Sequence, residues 1–179
     1  MQKHLSTLAL AALLAAACNT GSNSGAGQPG ADTTQNAAFR QYEANFIESL
    51  WKVYPEWATS VGYHKYDSVL TVPDAAGRQA ELSFLQQQQD SLKSYDTSKL
   101  GVALLTDYYL IRNLLESNKW EIEQEKGYEW NPSAYNVSST FAFMLNEGYA
   151  ALDTPLRSFS SPLTNIPAYY EGARKQIKD

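Results

Sequence analysis

Histidine and cysteine are almost absent from this chain. Its 179 residues hold two histidines, His4 and His64, and one cysteine, Cys18. A single cysteine excludes an internal disulfide. A zinc site needs several His, Cys or carboxylate ligands in convergent geometry. His64 and Asp67 supply two, and nothing obvious completes the set, so neither a metal nor a catalytic residue is assigned within this chain. Serines are plentiful, yet no G-x-S-x-G elbow occurs and His64 alone could serve as a base in the mature protein. The glycine-rich stretch near residues 21–30 lacks the lysine of a phosphate loop and precedes no helix-capped strand. Basic charge is also short: 14 Lys and Arg against 19 Asp and Glu give a formal net charge of −5. With no basic stripe to offset it, nucleic acid is not an expected partner. Strand-like alternation of useful length and internal repeats are missing too.

Aromatic side chains are abundant, with 12 Tyr and 4 Trp, and hydrophobic residues make up 44% of the chain against 18% charged. That is the balance of a packed domain, not of a disordered polyelectrolyte. The rings suit the gaps between packed helices, or alternatively an aromatic-lined groove.

The N-terminus reads as an export signal over residues 1–17. Lys3 supplies the positive charge, and Leu8 to Ala17 is an apolar run ending in small residues, too short to span a bilayer. Cys18 follows Ala15-Ala16-Ala17 directly. This arrangement resembles a bacterial lipobox, in which the thiol receives diacylglycerol, although leucine is commoner where Ala15 stands. Lipidation of Cys18 accounts for a lone exported thiol, and more than one acyl chain makes such an anchor stable. The expected partner is therefore a membrane, with the folded part in the cell envelope, outside the cytoplasm, on the outer membrane. Residues 18–36 then form a flexible tether, because Gly, Ser, Asn and Thr cannot bury enough surface to fold. Within it, Asp32-Thr33-Thr34 also resembles a short O-glycosylation acceptor.

Residues 37–179 read as a helical domain, and the expected class is all-α. Phe39, Tyr42, Phe46, Leu50 and Val53 recur at helical spacing. Pro55 restarts the chain, Gly62 ends a short helical turn, and residues 64–67 form a loop. Asp74 caps a second helix, whose narrow apolar face (Leu82, Leu85 and Leu92) predicts a peripheral position. A third helix, over residues 99–126, carries the broadest apolar face and is expected to be central, buried on more than one side and ended by Gly127. Glu116, Glu121, Glu123 and Glu125 near its end read as a solvated face. Asn131 and Pro132 cap and start a fourth helix running to Asn146. Thr154-Pro155 starts a short fifth over residues 156–160, and Ile166-Pro167 a last one that stops in mid-pattern at Asp179. That ending predicts the N-terminal part of a larger helical fold.

The segment Pro55-Glu56-Trp57-Ala58-Thr59, Gly62, Tyr66-Asp67 and Leu70 is followed by Arg78, Leu82 and Leu85, then Asp107 and Leu110. Trp130-Asn131-Pro132-Ser133, Tyr135, Pro155-Leu156-Arg157 and Ile166-Pro167 continue the series. In this order the residues resemble the N-terminal region of the bacterial "domain of unknown function 885" family, over roughly Phe39 to the end. The resemblance implies an exported, often lipid-anchored protein that looks like a helical zinc metallopeptidase. The family's presumed zinc site is a His-Glu element with a second His close behind it in the C-terminal part, and this chain has no such element. Zinc is then a cofactor of the full-length protein only, and the partners implied are the remaining C-terminal fold and a peptide substrate. N-terminal helices in such proteins form a wall or lid of a deep cleft, which makes Tyr66, Asp67, Trp130, Asn131 and Tyr135 candidates for lining it. As packing and capping residues the same five have a purely structural role. The competing functional class is a non-catalytic envelope lipoprotein that binds peptides or glycans, and a weaker third is a scaffold for an envelope complex.

Overall fold

The Asp32 carboxylate accepts hydrogen bonds from the amides of Thr34 and Gln35 and so caps the first helix. A computed structural model describes residues 32–138, 141–142 and 153–178. The expected export signal, Cys18 and most of the expected tether lie outside the described residues. Helix α1 spans Thr33–Val53. Residues 33–36, expected to be tether, are therefore its first turn, and the Asp32-Thr33-Thr34 tripeptide is a helix start. Tertiary bonds hold that turn: the Asp32 amide donates to the Lys99 carbonyl and the Gly101 amide to Asn36 Oδ1. Polar composition hid this, because the ordering groups lie more than sixty positions away in the sequence.

Tyr54 separates α1 from α2 (Pro55–Ser60), which has proline in its first turn. Gly62 takes φ +85°, a left-handed value that side chains resist, and the chain then makes a 3₁₀ turn over His64–Tyr66. Helix α3 (Ala75–Leu92) is capped by Asp74, whose Oδ1 accepts from the Gly77 amide at 2.7 Å. After a 3₁₀ turn at Thr97–Lys99 comes α4 (Val102–Trp120), prolonged by a π-helical turn at Glu121–Glu125. Lys126 takes the left-handed conformation at φ 54°, so Lys126 breaks the helix and Gly127 begins α5 (Gly127–Trp130). A 3₁₀ turn, Pro132–Tyr135, and the long α6 (Asp153–Arg174) follow among the described residues. Among the described residues there is no strand, and the fold is all-α.

Helices α1, α3 and α4 pack in up-down-up order. The start of α1 meets the α3–α4 connection, while Tyr54 at its end bonds Glu81 early in α3 and lies within reach of Asn118 late in α4. Between them lies the first core: Phe39, Phe46 and Leu50 from α1, Leu85 and Leu92 from α3, and Leu104, Tyr108 and Leu115 from α4. Each such side chain contributes about 1.5–3 kcal/mol by leaving water. Helix α3 is thus a full member of the core and not peripheral; two leucines suffice because Phe84 widens its face. Helix α4 buries one side only among the described residues, for Leu110 is 64% exposed. A second core joins Leu70, Tyr135 and Val137 to Tyr169 and Ala173 of α6.

Two helix boundaries differ from expectation. Asn131 does cap a turn opened by Pro132, but Asn136 is extended at φ −79°, ψ 105°, so no continuous helix runs from there. The remainder of that expected helix, up to Asn146, lies largely outside the described residues. The two expected C-terminal helices are one, since α6 carries Pro162 and Pro167 in its interior. Pro167 cannot bond the carbonyl of Leu163, but Leu163 is exposed and water can.

Candidate functional site

Between the two cores the packing leaves a cleft of about 770 Å³. Its walls are the end of α1, Glu56 of α2, the extended segment 71–74, the first turns of α3, the π-helical turn, and the stretch from Gly127 to Val137, with Tyr169 from α6. The local sequence places each polar group. Pro55 starts α2 and sets Glu56 in its first turn. The Asp74 cap starts α3, so Arg78 and Glu81 stand on its first two turns, one turn apart.

Glu56 Oε1 accepts from the Thr71 amide at 2.8 Å, and burial pushes the Glu56 carboxyl above its ordinary value. Glu81 Oε1 accepts from the Tyr54 hydroxyl at 2.6 Å, which in turn accepts from Asn118 Nδ2 at 3.1 Å. Burial raises Glu81 as well, and the charge of Glu121 adds to it, while Arg78 opposes it. Burial, then Glu81, raises the Tyr54 phenol. The Tyr169 phenol is pushed up to about 12, first by burial and then by Glu56. The Arg78 guanidinium lies over the Tyr128 ring, 4.1 Å from its centroid. The Tyr135 hydroxyl donates to the Tyr128 carbonyl at 2.6 Å and fixes that platform.

A pH effect follows from Glu56. Its folded-state pKa lies above the ordinary 4.5, so the folded protein holds this proton more tightly than the unfolded chain. The resulting stability is present below about pH 4.5 and is lost as pH rises through the raised value. Glu56→Gln, which keeps an oxygen for the Thr71 amide, is expected to melt with wild type near pH 4 and above it at pH 7. Thermal melts across that range check the sign; a variant less stable at pH 7 would contradict it.

Residues 55–179 match the family model described as bacterial protein of unknown function (DUF885). The chain belongs to this family. A solved structure of a candidate lipoprotein of unknown function from Shewanella oneidensis is similar, with a TM-score of 0.76 and 44% identity. The match covers 78% of this DUF885 chain and 26% of that one, so the chain spans about a quarter of the neighbour's length. Comparison with curated proteins gave no match.

Of the five candidates named from the sequence, Asn131 and Tyr135 line the cleft of this DUF885 protein. Asn131 Oδ1 is engaged as a cap, accepting from the amide and hydroxyl of Ser133 at 3.2 and 2.6 Å. Trp130, by contrast, is 60% exposed, with its indole N–H donated to the Glu125 carbonyl. Tyr66 and Asp67 lie away from the cleft. The Tyr66 hydroxyl donates to Glu48 Oε1 at 2.6 Å, beside Lys65 and Tyr63 on the same carboxylate. These donors hold the Glu48 carboxyl down at about 2. Asp67 is buried, accepting from the Thr59 hydroxyl at 2.7 Å with His64 Nδ1 at 3.1 Å. The 3₁₀ turn at residues 64–66 folds both residues back onto the α1–α2 corner instead of toward α3. Sequence reasoning missed Glu56, Glu81, Tyr128 and Tyr169 as a group. The available signal was weak: Arg78 and Glu81 at helical spacing just behind a cap. Among the described residues no three His, Cys, Asp or Glu side chains are grouped to hold a metal ion. Zinc therefore does not fit them, and no step is derived through it. No described helix is long and apolar enough to cross a membrane.

Proposed function

We propose that this chain is the N-terminal helical wall of a peptide-binding cleft in a lipid-anchored cell-envelope hydrolase of the peptidase type. Cys18 carries the anchor, and the catalytic groups, zinc ligands included, come from outside the described residues. The observation that carries the reading is the cleft itself: apolar walls of suitable volume in which Glu56, Arg78, Glu81 and Tyr128 converge. A similar protein roughly three times as long, described as a candidate lipoprotein, supports the lipid anchor and the larger fold. A non-catalytic binding lipoprotein is the second reading, favoured by a cleft in which Arg78 lies on the Tyr128 ring.

Calorimetric titration of the purified chain with short peptides tests the proposal. Saturable binding without cleavage is expected, and Ala134→Trp, at an exposed position on the cleft wall, should abolish it. Peptide hydrolysis by this chain alone would overturn the assignment of catalysis elsewhere. Binding that survives Ala134→Trp would overturn the cleft.

A further inference from the structure

Among the described charged groups of the cleft, Arg78 lies on an aromatic face. Glu56 already has the Thr71 amide, and Glu81 has the Tyr54 hydroxyl backed by Asn118. Asp74 is held by the Gly77 amide as the cap of α3. Arg78 forms no ion pair among the described residues, and its guanidinium has the face of Tyr128 as its contact. Stacking matters for what the group can do. A guanidinium lying on a ring loses freedom at its face, while its N–H donors stay in the plane and point outward at the edge. That edge matches the two oxygens of a carboxylate, which Arg binds through a fork of parallel hydrogen bonds. Tyr128 is itself fixed by the Tyr135 hydroxyl on its carbonyl, so the platform is built before any ligand arrives.

We propose that Arg78, stacked on Tyr128, is the receptor for a carboxylate of the ligand, specifically the free C-terminal carboxylate of a short peptide. The rest of the cleft fits such a ligand. Glu56, Glu81, Glu121 and Glu125 outnumber Arg78 and Lys52 along the walls. That excess disfavours a polyanion such as a phosphorylated chain, yet it suits a zwitterion whose amine lies near the acids. Glu56 and Glu81 are both pushed toward the neutral form by burial, which softens their repulsion of an incoming carboxylate.

The inference rests on the cleft being the binding site and is tested separately from it. The probe pair is an N-acetylated dipeptide with a free C-terminal carboxylate and the same dipeptide as its C-terminal amide, each titrated into the chain by calorimetry. The acid should bind about tenfold or more tightly than the amide, the range of a charge-assisted hydrogen-bonded pair. Arg78→Gln should abolish that preference. Arg78→Lys should restore little of it, since a lysine keeps the charge but loses the planar fork. Tyr128→Leu should weaken the acid alone, with thermal melts confirming that each variant is folded. Equal binding of acid and amide to the wild-type chain would overturn the inference while leaving the cleft standing. Binding of neither would overturn both.

Discussion

Asp67→Ala should lower stability by about 2–4 kcal/mol, the cost of breaking a buried, hydrogen-bonded carboxylate knot. Asp67 is 4% exposed and joins the end of α2 to the following 3₁₀ turn, through Thr59 at 2.7 Å and His64 at 3.1 Å. In the variant the Thr59 hydroxyl turns its single proton to the Pro55 carbonyl, 3.1 Å away, so the loss falls on the turn and not on α2 itself. For a chain of this size the midpoint of thermal unfolding should fall by roughly 5–15 °C. Asp67→Asn, which retains an acceptor, should lose less. Peptide binding by the folded fraction should be unchanged. A cleft-lining Asp67 would give the opposite pattern, with little change in melting and a large change in affinity.

The second large effect is expected at the centre of the three-helix core. Phe46 is 2% exposed, with its ring centroid 6.3 Å from Phe84 of α3 and 6.0 Å from Tyr42 one turn back on α1. Phe46→Ala removes the ring that joins α1 to α3 and leaves a cavity, at a cost of about 3–5 kcal/mol. Leu110→Ala on the exposed side of α4 should change stability by less than about 0.5 kcal/mol. Chemical denaturation of the two variants side by side measures the contrast. Comparable losses would mean that the Leu110 face is covered in solution.

Legibility of the fold followed range along the chain. Phe39, Phe46 and Leu50 announce α1 by spacing alone, and Asp74 announces α3 by its place before a helical pattern. Both depend on residues within a turn or two. The start of α1 was not legible, because Lys99 and Gly101 order residues 32–36 from across the bundle. Nor was the break at Lys126, where sequence reasoning favours the adjacent Gly127 for a left-handed backbone and the chain places that conformation one residue earlier. The prolines of α6 misled for a related reason: a proline opposes a helix locally, but packing of Tyr169 and Ala173 into the second core outweighs the loss.

The candidate site was half legible. Asn131 and Tyr135, named from the family resemblance, both line the cleft. Tyr66 and Asp67 were named from the same resemblance, yet a 3₁₀ turn folds them into a separate knot with Glu48 and Thr59. The groups that give the cleft its chemistry come from Glu56, Arg78, Tyr128 and Tyr169, more than a hundred positions from first to last. No spacing rule joins residues so far apart; only the meeting of the two cores does.

Backbone NMR of the chain during titration with a short peptide tests the central claim most directly. The cleft account predicts amide shifts concentrated at Gly77, Tyr128 and Asn136, around Arg78 and its platform, with Trp57, Tyr63 and Lys65 unmoved. Shifts gathered instead at Trp57, Tyr63 and Lys65 would place the ligand on the aromatic corner of α1 and α2 and contradict it.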